Sequence, residues 1–533
     1  MVFSSSIFLF FFLPLVLILY FYPLYLPASG KIRATCALTA GFLLFLYFLP
    51  MLFSIWLVAG FAVLLFLANE FLPVEKILPS ERNTRNFILL IFSIFFYAWG
   101  EPLYVFLLLL SCFVNYGFGL WVGKHTQSAC GRIIVGLTVL YNIAVFFVFK
   151  YMGFVFSNIN HFCSANLPLV EFALPIGISF YTFQALSYVI DVYRGTAPAE
   201  KNPFKIALYI SLFPQLIAGP IVRYGDVAKE LTDRKENMSD FASGTVRFTV
   251  GLAKKMILAN SCAVLADAAF NAPESELTVL LAWMGAIGYT FQIYFDFSGY
   301  SDMAIGLGRM FGFHFMENFK FPYIARSITD FWRRWHISLS TWFRDYVYFP
   351  LGGSRVSSKW RLFFNLFVVW LLTGVWHGAN WTFIVWGLFY FVLLMIEKTI
   401  GWDKKNYWWG WFYTMPAVIV AWVFFRAESI GSAWQFLKTM CGLGGKPLFD
   451  PGNVFLLQDY APFLILAALF SVPVLPELLE QNFYIDRIGN EKVRFAAYRA
   501  MSVICFFALL CVFLLAVSFV VKSTNNPFIY FNF

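Results

Sequence analysis

Five histidines are spread over the 533 residues, and one stands apart from the others. His377 lies in Gly374-Val375-Trp376-His377-Gly378-Ala379-Asn380-Trp381, near the centre of a 35-residue stretch, 362–396, that holds no Asp, Glu, Lys or Arg. Placing an ionisable side chain in so apolar a stretch is costly, which marks it as a functional candidate. Neutral imidazole can take a proton from a hydroxyl, the work of a general base. The flanking glycines permit a helix break or a close backbone approach. The plainer reading is a histidine hydrogen-bonded to a neighbouring helix.

His336 is the second candidate. It lies in Trp332-Arg333-Arg334-Trp335-His336-Ile337-Ser338-Leu339-Ser340-Thr341-Trp342-Phe343-Arg344-Asp345-Tyr346. That pattern predicts one interfacial amphipathic helix, with Arg333, His336 and Ser340 on one face and Leu339, Trp342, Phe343 and Tyr346 free to face lipid or protein. A headgroup-facing role for His336 stands beside a chemical one. A further polar island, Gln292-Ile293-Tyr294-Phe295-Asp296-Phe297-Ser298-Gly299-Tyr300-Ser301-Asp302, ends an apolar run. Its composition suits a lined cavity, a helix N-cap, or pairing of Asp296 or Asp302 with Arg309, Arg333 or Arg334. His125, His161 and His314 fall in or near expected loops and read as ordinary polar residues. The eight cysteines show no CxxC or metal-ligand spacing, so no metal site and no disulfide framework is expected. GxSxG, HExxH and P-loop signatures are absent.

The elements that must hold these residues are membrane helices. Hydrophobic residues make up 60% of the chain and charged residues 13%, against about a quarter charged in a soluble domain. A soluble enzyme, a fibrous chain and a disordered chain are excluded. A spanning helix needs about 20 apolar residues. Runs of this kind fall at 7–26, 34–69, 86–100, 103–123, 133–149, 172–190, 206–222, 277–295, 362–396, 406–425, 460–476 and 500–521. Two are too long for one span: 34–69 is expected to turn near Pro50, and 362–396 to break at 373–380. The expected architecture is all-α, a single polytopic domain over 1–533 with roughly 11–14 transmembrane or re-entrant helices. The lack of an internal repeat counts against repeat-built transporters.

No cation precedes Ile7, so the first run reads as a retained helix rather than a signal peptide. Lys31 and Arg33 after it favour an outside N-terminus. Arg223, Lys229, Arg234 and Lys235 reach the cytoplasmic side only if 213–220, broken by Pro214, Gly219 and Pro220, re-enters. The net charge of +9 is then a positive-inside excess and no sign of nucleic acid. It is densest in 303–361, nine cations against three anions, an expected cytoplasmic basic amphipathic region. Contact with anionic membrane lipids and attraction of a phosphorylated donor both fit it.

Together these motifs resemble the membrane-bound O-acyltransferases, and within them the bacterial branch that contains the membrane subunit of alginate O-acetyltransferase. The resemblance runs through nearly the whole chain, from Met1-Val2-Phe3-Ser4-Ser5 through Phe96-Tyr97-Ala98-Trp99-Gly100-Glu101-Pro102 and Ser179-Phe180-Tyr181-Thr182-Phe183-Gln184. Its most specific parts are Phe295–Asp302, Phe331–Ser340 and Trp376-His377-Gly378. It implies a ring of tilted helices around a thinned centre, with a central tunnel from the cytoplasm, in a bacterial cytoplasmic (inner) membrane. It carries the family's WHG histidine onto His377 and its WHIS histidine onto His336. It implies acetyl-CoA as donor, a secreted polysaccharide as final acceptor, and a secreted or periplasmic SGNH-type acetyltransferase as partner. On this reading Arg333 and Arg334 meet the donor's phosphates, and Gln292, Asp296, Asp302 and Trp376 line the tunnel. Two departures from the family pattern are the additional apolar pair in 34–69 and His314 where Arg is expected.

The last residues are Pro527-Phe528-Ile529-Tyr530-Phe531-Asn532-Phe533. By composition 522–533 is an exposed aromatic tail on the extracytoplasmic side, an interface anchor. It also resembles the FIYxxF-type ending associated with acyl relay in this branch and in D-alanyl transfer, which makes Tyr530 an acyl acceptor. D-alanyl transfer to teichoic acid and transport of a lipid-linked saccharide are the rival functions. The second leaves the WHIS and WHG pair without a role.

Overall fold

The computed structural model describes residues 1–21, 81–169, 172–402, 405, 407–473, 490–522 and 528–529. The run 34–69 lies outside them. The described residues form helices joined by turns, with no strand among them. Seven of these helices are long and apolar enough to cross a membrane: Tyr104–Gly123, Ala129–Lys150, Met238–Phe270, Trp381–Ile400, Trp408–Arg426, Pro451–Phe470 and Glu491–Lys522.

One of the seven, Met238–Phe270, is absent from the runs read off the sequence. Arg247, Lys254 and Lys255 interrupt its apolar pattern. In the fold these cations face carboxylates on or just after the next helix, Val279–Met310. Arg247 pairs with Asp302 (2.9 Å) and Glu317, Lys254 with Asp302 (2.7 Å), and Lys255 with Asp296. Asp296 and Asp302 therefore do form ion pairs, but with this helix and not with Arg309, Arg333 or Arg334. Only the register between two helices makes those partners, and one-dimensional charge counting does not contain it.

Val279–Met310 is 32 residues long and buried on most of its surface. Its antiparallel contact with Met238–Ala253 is backbone against backbone. A Cβ on Gly251 would stand 2.6 Å from the Gly299 carbonyl oxygen, and one on Gly244 2.5 Å from that of Gly306. Small residues give membrane helices this close approach, where van der Waals packing and interhelical polar bonds replace the hydrophobic drive. Residues 303–310, expected as the start of a cytoplasmic region, are instead the last two turns of this helix.

The stretch 362–396 breaks as expected. Helix Lys359–His377 ends at the histidine, and Trp381–Ile400 returns antiparallel to it. Gly374 and Gly387 meet at the crossing, where a Cβ on Gly387 would lie 2.4 Å from the Trp370 carbonyl oxygen. The Pro/Gly-broken segment is also irregular: the short helix Phe213–Leu216 and the turn after it are fully buried.

The connection before Met238 is pinned by one carboxylate. Glu236 accepts from Arg82 (2.5 Å) and Tyr20 (2.5 Å), lies 2.8 Å from Arg85, and is 3.5 Å from Arg234. Burial pushes its carboxyl upward, but the hydrogen bonds from Arg82 and Tyr20 and the charges of Arg85 and Arg234 outweigh that and hold it at about 2. A carboxyl depressed on folding adds stability that is complete above about pH 5 and is lost as pH falls toward the folded value. The unfolding temperature in detergent should therefore drop between about pH 5 and about pH 2. Glu236→Gln should be less stable than wild type at neutral pH and show a shallower acid drop, measured by thermal unfolding across pH.

Candidate active site

His377 is the last residue of its helix and is only 3% exposed. It packs edge-on against Trp386 (4.8 Å between ring centres) and Phe425 (5.1 Å). A helix that ends inside the protein leaves its final carbonyls without intrahelical partners. Here side chains from a neighbouring element supply them. Lys150 Nζ donates to the carbonyls of Trp376 (2.7 Å) and His377 (3.2 Å), and Tyr151 Oη donates to that of Val375 (2.5 Å). Lys150, Ser179, Phe180, Ile217, Trp376 and His377 border a cavity of about 30 Å³, room for about one water. On the far side of the break, Asn380 caps the returning helix by accepting from the Thr382 N–H at 3.1 Å.

His336 is reached differently. The single amphipathic helix expected over 332–346 does not form. Helix Ile328–Arg334 stops, His336 takes left-handed backbone angles (φ 43°, ψ 55°), and a second helix runs Ile337–Phe343. A non-glycine residue there is uncommon and is held by its surroundings. The first helix is fixed by Glu397, which accepts from the N–H groups of Ile328 (2.5 Å) and Thr329 (2.9 Å). The break is fixed by Asn318, whose backbone carbonyl accepts from Ile337 N–H at 3.0 Å. Of the two surroundings open to Leu339, Trp342, Phe343 and Tyr346, lipid or protein, the fold gives them protein, and all four are buried.

Asn318 also decides the tautomer of His336. Its Oδ1 accepts from the Ser338 backbone N–H (3.2 Å) and from Ser338 Oγ (2.9 Å). A backbone N–H can only donate, so the Asn318 atom is oxygen. His336 Nδ1, 3.1 Å from the same oxygen, must then carry the hydrogen. Nε2 is left as the lone-pair nitrogen, buried and without a hydrogen-bond partner among the described residues.

The Trp376 indole joins the two histidines, 4.9 Å from the ring of His377 and 6.1 Å from that of His336. Phe297 stands edge-on to His336 at 4.6 Å. From Trp376 an aromatic line runs through Phe183 (5.6 Å), Trp342 (3.8 Å) and Tyr346 (5.1 Å) to an open pocket of about 950 Å³ lined by Arg194, Arg223 and Arg344 and by Asp191, Asp226 and Asp345. On the other side, Phe528 and Ile529 enter the core, 2% and 8% exposed. Phe528 packs on Tyr300 (4.8 Å) and Phe297 (6.3 Å). This part of the tail is thus buried where the sequence suggested exposure. Its aromatic and branched side chains find apolar partners on Val279–Met310. Tyr530 lies outside the described residues.

Of the remaining expected residues, Gln292 is half-buried one turn before Asp296, Arg333 is exposed, and Arg334 pairs with Asp330 at 2.9 Å. His314 bridges Glu230 (3.0 Å) and Asp240 (3.4 Å) at the surface. The sequence reading missed Lys150, Asn318 and Glu397. Lys150 closes an apolar run and looks like an ordinary flanking cation, and Asn318 carries no local signal at all.

Residues 42–430 match the MBOAT, membrane-bound O-acyltransferase family. A probable alginate O-acetylase of Pseudomonas aeruginosa is 43% identical over 412 residues, covering 75% of this chain and 78% of that protein. A peptidoglycan O-acetyltransferase of Helicobacter pylori is 37% identical over 393 residues, covering 68% and 74%. A teichoic acid D-alanyltransferase of Bacillus subtilis is 30% identical over 293 residues, covering 52% and 70%.

The capping role of Lys150 is open to test. Lys150→Met strands the carbonyls of Trp376 and His377 and should cost about 1–3 kcal/mol. That loss would be read as a lower unfolding temperature of the detergent-solubilised protein, and Lys150→Arg should retain most of the stability. An unchanged unfolding temperature in Lys150→Met would dismiss the cap.

Proposed function

The chain belongs to the membrane-bound O-acyltransferase family and is a multi-pass membrane acyltransferase. From that premise we propose that it takes an acetyl group from acetyl-CoA at the cytoplasmic face of a bacterial inner membrane and passes it outward for O-acetylation of a secreted, alginate-like polysaccharide. The observation that carries this reading is the pair of buried histidines joined through Trp376, with His336 locked by Asn318 in one tautomer. The similarity to an alginate O-acetylase and a peptidoglycan O-acetyltransferase supports acetyl as the group and a polymer hydroxyl as its destination.

In this mechanism His377 removes the proton from the attacking hydroxyl, and the oxygen adds to the thioester carbonyl. The tetrahedral intermediate collapses to the ester, and the CoA thiolate leaves with the proton returned from the imidazolium. His336, on the other side of the Trp376 indole, helps shape the chamber in which the hydroxyl and the thioester meet. The aromatic walls exclude water, which would otherwise hydrolyse the thioester. The phosphorylated end of the donor meets cations on the cytoplasmic face, Arg333 and Arg334 or Arg194 of the pocket beside Tyr346, where Arg223 and Arg344 are already paired with Asp345. Tyr530 is the immediate acyl acceptor. It hands the acetyl group to a secreted SGNH-type partner and so to the polysaccharide.

General-base catalysis is worth about 10²–10⁴-fold. His377→Ala should lower acetyl transfer by that order while the protein remains inserted and folded. Near-normal transfer of labelled acetyl from acetyl-CoA in that variant would remove His377 from the mechanism. After incubation with donor, intact mass of the peptide holding Tyr530 should show an acetyl adduct. Full polymer acetylation by Tyr530→Phe would refute the relay. Labelling from a D-alanyl carrier protein in place of acetyl-CoA would move the reading to D-alanylation.

A further inference from the structure

The ion pair of Lys255 and Asp296 lies in the middle of the molecule, 4% and 1% exposed. Burying two charges costs several kcal/mol per ion unless further hydrogen bonds satisfy them. One such bond comes from an unexpected source. Asp296 Oδ2 accepts the backbone N–H of Ile529 at 2.8 Å, across 233 positions of sequence. Backbone entering an apolar core must find partners for its N–H groups, and a carboxylate is the strongest acceptor a side chain offers.

The same segment is clamped one residue earlier. Phe528 fits against Tyr300, one turn along the helix from Asp296, and against Phe297, whose ring also touches His336. The helix before it, Glu491–Lys522, is exposed along most of its length. Only Ala516 and Val520 near its end are buried, so the contacts of Phe528 and Ile529 are the ones that seat this segment against Val279–Met310.

We propose that Asp296, oriented by Lys255, is a dock for the segment that contains Phe528 and Ile529. The carboxylate sets that segment's register by its backbone, and the Tyr300–Phe297 surface sets it by its ring. Asp296 is thus a positioning residue for group transfer and takes no part in the bond changes. Its catalytic purpose rests on the Tyr530 relay described above, whereas the docking itself does not.

The test uses the full chain in nanodiscs. Hydrogen–deuterium exchange of the peptide containing Ile529 should be slow in wild type and about tenfold faster or more in Asp296→Ala, from loss of a charge-assisted bond. Phe528→Ala leaves the ion pair intact and should speed the same peptide, which guards against an Asp296 variant that fails to fold. Acetyl transfer in both variants should fall by about 100-fold, the scale of a misplaced reacting group. Asp296→Asn keeps an acceptor oxygen and should recover part of both readouts. Unchanged exchange in folded Asp296→Ala and in Phe528→Ala overturns the dock. Faster exchange with undiminished transfer overturns its positioning role. If Tyr530→Phe keeps full transfer while Asp296→Ala speeds exchange, the relay falls and the dock stands.

Discussion

Helices Met238–Ala253 and Val279–Met310 touch through glycines, and what surrounds the histidines depends on that contact. With Gly251 opposite Gly299 and Gly244 opposite Gly306, the two backbones are close enough for short ion pairs at a single register. Arg247 and Lys254 meet Asp302, and Lys255 meets Asp296. Any larger residue in the seam would separate the helices and leave Lys255 and Asp296 buried without each other, a far costlier state than the pair itself. The pairs stabilise one register and exclude its neighbours, in the way that a buried polar group selects one helix alignment over others.

That fixed register carries the site. Phe297 and Tyr300 project from the same helix as Asp296, and Phe297 faces His336. His336 in turn is placed by a helix break that Asn318 holds and by a preceding helix that Glu397 caps. His377 comes from a separate hairpin, whose own glycine crossing brings it beside Trp386. Two histidines 41 positions apart in sequence thus share one aromatic chamber because two independent close packings converge there. Several polar atoms around the chamber, among them His336 Nε2, Asn318 Nδ2 and the indole N–H groups of Trp376 and Trp386, have no hydrogen-bond partner among the described residues.

Some of this was legible in one dimension. The break at 373–380, the status of His377 as a polar residue in an uncharged run, and the irregular buried segment around Pro214 all follow from hydropathy and Gly/Pro punctuation. The amphipathic helix over 332–346 did not survive, because a helical period says nothing of a residue such as His336 that can be forced to positive φ by hydrogen bonds from elsewhere. Helix Met238–Phe270 went unread for a related reason: hydropathy scores its three cations as unpaired, whereas the fold pairs them. The tail was read as exposed because its partners, Asp296 and Tyr300, lie more than 200 positions away.

The sequence by itself determined that this is a multi-pass helical membrane protein and that the motifs around His336 and His377 place it among acyltransferases. Hydropathy and local motif are properties of neighbouring residues, and neighbouring residues suffice for them. Only the tertiary structure decided which charges are paired, which nitrogen of His336 carries its hydrogen, that Lys150 closes the helix ending at His377, and that Ile529 is held by Asp296. Each of these is a contact between distant segments, and its energy exists only once close helix packing has excluded water and set the register.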